Sequence, residues 1–139
     1  MADMLFCFDT NIVIGILNQR RPSYRVRLTA ELRSGARFAL PAIALFELQY
    51  GIAKSDRAEA SRKVLTEFLR GGVSVLPFDT EDARHAGDIR AVLERAGTPI
   101  GPYDVLIAAQ SRRVGAVLVT DNLREFSRVP GLAVTDWLD

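Results

Sequence analysis

Short apolar runs alternate with helix-forming segments along the whole chain, and this alternation constrains the fold more than any other feature. The apolar runs predict strands at residues 4–8, 38–40, 73–76 and 116–119, with a further edge strand at 132–134. Short apolar strands separated by helices are typical of parallel sheets that are covered on both faces. The sequence therefore predicts one α/β domain over residues 1–139, with a central parallel sheet of about four to five strands flanked by helices.

Residues 42–53, AIALFELQYGIA, are apolar on almost every side, which predicts a largely buried helix. Glu47 lies in the middle of this helix. Burying a carboxylate is costly unless it has a partner, and Lys54 is about two helical turns away. A metal ion shared with other acids would satisfy Glu47.

Further acids fall near the carboxyl edge of the predicted sheet, where open α/β folds bind their ligands. Asp9 directly follows the first strand, Asp121 follows the strand that ends at residue 119, and Asp104 lies in the first turn of the helix before that strand. Each acid has an ordinary alternative role: Asp9 as a helix N-cap, Asp104 as a partner of the helix dipole, Asp121 as a turn residue. Clustered carboxylates suit Mg²⁺ or Mn²⁺, which activate water for phosphodiester hydrolysis.

Composition removes several other chemistries. Cys7 is the only cysteine and His85 the only histidine, which excludes a zinc site of His and Cys ligands and a Ser-His-Asp triad. Residues 20–37 hold six arginines against Glu31 alone, which favours either a polyanionic partner or a solvated helix face. No apolar run approaches the ~20 residues of a membrane span, and no basic segment precedes the first apolar run. We therefore expect a cytoplasmic protein that does not associate with a membrane.

Four sequence blocks occur in a characteristic order. They are FDTN at residues 8–11, FEL at 46–48 followed by YG, IGPYDVLIAA at 100–109, and LVTDN at 118–122 followed by EFSRVPGL at 125–132. With these blocks the whole chain resembles the PIN-domain ribonuclease toxins, the VapC family of bacterial toxin–antitoxin modules. The resemblance implies an endoribonuclease that depends on Mg²⁺ or Mn²⁺ and cuts RNA, with tRNA as one candidate substrate. It also implies a homodimer and a cognate VapB-like antitoxin whose C-terminal segment covers the active site.

The resemblance extends to individual residues. Asp9, Glu47 and Asp104 match the first three acids of the family pattern, whereas the fourth position holds Asn122, with Asp121 one residue earlier. Thr120 matches a polar residue that supports the site. Three arginines are candidates for holding RNA phosphates: Arg112, Arg124 and Arg128. Because Asn122 brings no charge, the alternative is a non-catalytic PIN scaffold or an RNA-binding module.

Overall fold

A five-stranded parallel sheet forms the centre of the protein, seen in a computed structural model that describes residues 4–137. Its strands are β1 (Leu5–Phe8), β2 (Arg37–Pro41), β3 (Val73–Leu76), β4 (Val117–Val119) and β5 (Ala133–Thr135). They lie in the order β3-β2-β1-β4-β5, and every neighbouring pair is parallel. The predicted fold class is confirmed, although the predicted domain bounds at residues 1 and 139 lie outside the described residues.

Helices connect the strands and cover both faces of the sheet. Within residues 4–137 they are α1 (Thr10–Leu17), α2 (Pro22–Arg33), α3 (Ala42–Lys54), α4 (Ala58–Arg70), α5 (Thr80–Arg95), α6 (Pro102–Arg113) and α7 (Leu123–Phe126). Alternate residues of a strand point to opposite faces, so Phe8 contacts Phe68 of α4 on one face while Cys7 meets Ser111 of α6 on the other. Burial raises the pKa of the Cys7 thiol to about 11, which makes it an inert core residue. None of these helices is long and apolar enough to cross a membrane.

The prediction that α3 is largely buried is wrong. Ala44, Leu48 and Ile52 form its buried stripe, with a spacing of four residues. Phe46 and Tyr50 lie on the other side and are 48% and 58% exposed. The helix packs on one face only, and apolar composition alone does not say which apolar residues a fold will bury.

Helix α6, which carries Asp104, is attached to its neighbours by buried polar contacts. The side chain of Gln110 donates to the carbonyl of Leu76 at 2.7 Å and accepts from the backbone N–H of Ile43 at 3.3 Å. Arg113 donates to Asp82, a fully buried acid that also completes the capping box at the start of α5. These contacts hold α6 against β3, α3 and α5, because each one satisfies a polar group that burial would otherwise leave unpaired.

The carboxyl ends of β1 and β4 lie side by side. Phe8 pairs with Val119, and the backbone N–H of Asp9 donates to the carbonyl of Val119 at 3.0 Å. This register brings Asp9 next to Thr120, the residue that follows β4. The sheet therefore delivers the first predicted acid to the edge where ligands bind in folds of this type.

Candidate active site

Asp9 is held by two hydrogen bonds at the carboxyl edge of the sheet. Its Oδ1 accepts from the backbone N–H of Thr10 at 2.8 Å, and its Oδ2 accepts from the hydroxyl of Thr120 at 2.9 Å. Asp9 is thus also the N-cap of α1, so it does fill the helix-capping role that was its alternative explanation. Burial raises the pKa of the Asp9 carboxyl; the two hydrogen bonds partly oppose this, and the nearby charges of Asp121 and Glu47 add to it.

Glu47 reaches the same edge from α3. The hydroxyl of Thr10 donates to its Oε1 at 2.6 Å, so the residue after Asp9 orients the second acid. Glu47 is only partly buried. The sequence showed no nearby partner for the Glu47 carboxylate. The structure supplies one from a distant part of the chain, the hydroxyl group of Thr10 on α1.

Asp104 lies in the first turn of α6, where the charges of the other acids reach it. Burial raises the pKa of its carboxyl to about 6, with further contributions from the charges of Asp9, Glu47 and Glu125. Its position at the start of α6 would by itself favour the charged form. Burial and the three neighbouring acids outweigh that effect, so Asp104 is electrostatically linked to the other acids.

Glu125, on the short helix α7, is the acid that sequence reasoning missed. Its charge acts on Asp104, and its Oε2 accepts from the side-chain amide of Asn122 at 2.9 Å. Asn122 in turn donates its backbone N–H to the hydroxyl of Thr120 at 3.0 Å, so Thr120 links Asp9 to this segment. The available signal was its place in the EFSRVPGL block, three residues after Asn122, which is one helical turn.

Asp121 and Asn122, the two candidates for the fourth position of the family pattern, have different neighbours. Asp121 is exposed, and its charge is felt by Asp9 and by Tyr24 of α2. Asn122 points its amide towards Glu125. Three negative charges add to the raised pKa of Asp104, and the third comes from Glu125 and from neither of these two residues.

Of the three predicted RNA-binding arginines, Arg112 is committed elsewhere. It lies two turns along α6 from Asp104 and donates to His85 Nδ1 at 3.0 Å, to Asp88 at 2.9 Å and to the carbonyl of Pro130 at 3.0 Å. This argues against the prediction for Arg112, because those tertiary contacts would have to break first. Arg128 donates to the carbonyl of Pro99 at 3.1 Å, just before α6, and Arg124 is exposed next to Glu125.

Four different elements bring the acids to the same part of the molecule: the end of β1, α3, α6 and α7. Across residues 4–137, no group of three His, Cys, Asp or Glu side chains is arranged as a ready metal site. Burial raises the pKa values of Asp9 and Asp104, and the charges of neighbouring acids add to both shifts. Such a cluster favours any cation that reduces the repulsion.

The chain is similar to known proteins over nearly its whole length. The PIN domain family matches residues 6–132. The tRNA(fMet)-specific endonuclease VapC of Salmonella typhimurium is 41% identical over 132 residues, which are 95% of this chain and 97% of that protein. The chain belongs to the VapC family of PIN domains. The matched region contains all four motif blocks of the VapC resemblance and every acid of the cluster.

Solved VapC-family structures agree with this assignment. A chain of VapBC2 from Rickettsia felis, solved with a DNA fragment from its promoter, superposes with a TM-score of 0.91 at 33% identity, covering 97% of this chain and 100% of that one. A chain of DNA-bound VapBC from Salmonella typhimurium superposes with a TM-score of 0.88 at 40% identity, covering 97% and 99%. The likeness therefore spans nearly the full length of each protein.

Proposed function

We propose that this protein is the toxin of a toxin–antitoxin module, an endoribonuclease that hydrolyses RNA phosphodiester bonds with the help of Mg²⁺ or Mn²⁺. The observation that carries the proposal is the hydrogen-bond network that links three acids at the carboxyl edge of the sheet, together with their charges acting on the partly buried Asp104. The relative from Salmonella typhimurium is named as a tRNA(fMet)-specific endonuclease, which makes tRNA the first substrate to test.

The donor set fits a hard divalent cation. Carboxylate oxygens are the ligands that Mg²⁺ and Mn²⁺ take in proteins. Burial and the charges of three neighbouring acids together raise the pKa of Asp104 to about 6, and a cation would offset both effects. Asp9, Glu47 and Asp104 would hold the ion, with Glu125 as the fourth acid. When bound, the ion supplies an activated water and stabilises negative charge on the phosphate.

The protein's own residues orient this chemistry. Thr120 and Thr10 hold Asp9 and Glu47 through their hydroxyl groups, which keeps both carboxylates in one orientation. The Oε2 atom of Glu47 accepts no hydrogen bond from residues 4–137, so it is available to orient the attacking water or to accept its proton. Asn122 keeps Glu125 turned towards the cluster in the same way.

An apolar groove beside Glu47 suits the antitoxin. It has a volume of about 490 Å³ between α1, α3 and α4, and Glu47 forms part of its wall. Ile14 and Val64, which also line it, are exposed apolar side chains. Solved relatives are VapBC complexes, and a segment of a VapB-like antitoxin that filled this groove would end at the acids and block them.

The exposed aromatic pair Phe46 and Tyr103 suits a second copy of the chain. Their rings meet edge to face with centroids 5.4 Å apart, although both residues are about half exposed. Each precedes a site acid in the sequence, Glu47 and Asp104 respectively. A homodimer through this face would therefore bring two acidic sites close to each other.

The test is cleavage of a tRNA(fMet) transcript by the purified protein. We expect cleavage with Mg²⁺ or Mn²⁺, loss of cleavage in EDTA and recovery when Mn²⁺ is restored. Asp9→Asn should be inactive, whereas Asp56→Asn, which changes an exposed acid outside the cluster, should cut like the wild type. Expression of the wild-type chain alone should stop bacterial growth, and the antitoxin should restore it. Folded, metal-loaded protein that cuts no RNA would refute the proposal and favour a non-catalytic scaffold.

A further inference from the structure

The outer side of α2 carries a line of arginines that the proposed active site does not use. Arg25 and Arg33 lie on α2 with Thr29 midway between them, and Arg21 is the residue directly before the helix; all four residues are exposed. Each four-residue step advances about 6 Å along the helix. We call these three arginines the arginine stripe.

Within residues 4–137, no acid lies within ion-pair distance of the arginine stripe. The only acid between residues 20 and 37 is Glu31, and Arg27 already holds it at 2.9 Å while lying over the ring of Trp137. The guanidinium groups of the stripe make no ion pair and no hydrogen bond with residues 4–137. On α5 and α6 the situation is different, because four arginines there are paired with acids: Arg84, Arg90, Arg112 and Arg113.

The stripe begins beside the acid cluster. Tyr24 and Arg21 pack against Gly15 of α1, so closely that a Cβ atom on Gly15 would lie 2.8 Å from Tyr24 Cε2 and 3.3 Å from Arg21 Cγ. Helix α1 is the one that Asp9 caps. Asp121 lies between the two regions, since its charge acts on both Asp9 and Tyr24. A polyanion that leaves the acid cluster past Asp121 would therefore meet Arg21 first.

The surface around the stripe allows close approach. A shallow groove of about 400 Å³ is lined by Arg25, Val26, Thr29, Ala30 and Arg33. The small side chains of Thr29 and Ala30 leave room between the arginines, and Val26 is 71% exposed. Guanidinium groups bind phosphate oxygens in a two-pronged geometry, which a neutral or positively charged partner would not use.

We propose that the arginine stripe binds the phosphates of the RNA that flanks the cleaved bond. This inference rests on the proposed ribonuclease function and decides between the polyanionic partner and the solvated helix face that the sequence left open for this segment. Contacts of this kind position a strand without reading its bases. The stripe would therefore contribute to affinity for many RNAs and leave the choice of cleavage site to other residues.

The size of the effect follows from counterion release. Each lost phosphate contact makes the slope of log K against log salt concentration less negative by about 0.7–0.9. The triple variant Arg21→Gln/Arg25→Gln/Arg33→Gln should therefore make this slope less negative by about 2 to 3. At a salt concentration of about 0.1 M the same three contacts correspond to a loss of affinity of roughly 100-fold.

The experiment measures binding apart from cleavage. Labelled tRNA(fMet) transcript is titrated by fluorescence anisotropy between about 50 and 200 mM KCl, with every variant in an Asp104→Asn background that leaves the RNA uncut. The matched control is Arg84→Gln/Arg90→Gln/Arg95→Gln on α5, which removes the same charge from another exposed face. We expect the control to change the slope by less than about 1. Melting curves check that both triple variants are folded.

Equal slopes and affinities for the stripe variant and the α5 control would overturn the inference, as would a background protein that does not bind RNA. Loss of antitoxin binding with unchanged RNA binding would also overturn it and would assign the stripe to a protein partner. If RNA binding depends on the stripe but the wild-type chain cuts no RNA, the stripe is upheld and the ribonuclease proposal fails.

Discussion

Asp104→Asn separates a cation site from a purely structural acid, because the two predict opposite changes in stability. The folded protein raises the pKa of Asp104 from 3.8 to about 6, so folding disfavours the ionised carboxylate. The wild type without metal therefore loses stability as the pH rises from about 4 to about 6. If the whole pKa difference is expressed as a free energy of unfolding, it corresponds to about 3 kcal/mol. Asp104 is only half-buried, however, and screening by water reduces this free energy to about 1–2 kcal/mol.

Asparagine has the same shape and no charge, so the variant should escape this loss. Removing the acid also removes its favourable interaction with the start of α6, which is about 0.3–1 kcal/mol. We therefore expect the variant without metal to be more stable than the wild type by about 1 kcal/mol at pH 8, which raises Tm by roughly 2–4 °C. At pH 4 the two proteins should have nearly equal stability, because Asp104 is then largely protonated.

Divalent ions should reverse the order of stability. Mg²⁺ at ten times its dissociation constant stabilises the wild type by about 1.4 kcal/mol, and the variant should lose most of this gain together with RNA cleavage. Melting curves at both pH values, with EDTA and with Mg²⁺, are run beside the cleavage assay. A variant that is active, destabilised by about 0.3–1 kcal/mol and indifferent to Mg²⁺ would refute the reasoning and leave Asp104 as a helix-dipole residue.

Two further predictions follow from other contacts. Glu125→Gln should lower Mn²⁺ affinity in calorimetric titrations by about tenfold, whereas Asp121→Ala should change it less than about twofold; equal losses would assign the fourth position to both residues. Asp82→Asn leaves Arg113 without its buried partner and should reduce the free energy of unfolding in urea by about 3 kcal/mol; a loss below about 1 kcal/mol would show that the pair does not stabilise the contact between α5 and α6.

The parts of the fold that follow local rules were predictable. Strands such as β3 are short apolar runs bounded by turn residues. Asp9 directly follows β1 and Asp104 lies in the first turn of α6, and the sequence marks the end of that strand and the start of that helix clearly. These two positions were enough to predict a site at the carboxyl edge of the sheet. Glu47 was recognisable because a charge on an apolar helix has few ordinary explanations.

What was not predictable depends on tertiary contacts. Helix α7 has four residues, too few for a periodic pattern, so periodicity could not place Glu125, and only its spacing from Asn122 pointed to it. Arg112 looked like any rim arginine until the structure placed His85 and Asp88 against it. The exposed side of α3 could not be predicted for a related reason, because Phe46 and Tyr50 are of residue types that usually lie in a core.

The hydrogen bond between Thr120 and Asp9 joins residues 111 positions apart, and this has a consequence for how the protein is made. A ribosome produces β1 well before β4, the strand on its other side, and before the helix with Glu125. A growing chain that ends before β4 can pair β1 with β2 and β2 with β3, but it lacks Thr120, Asn122 and Glu125. The acid cluster therefore cannot assemble on such a partial chain, and it becomes possible only after α7 has left the ribosome.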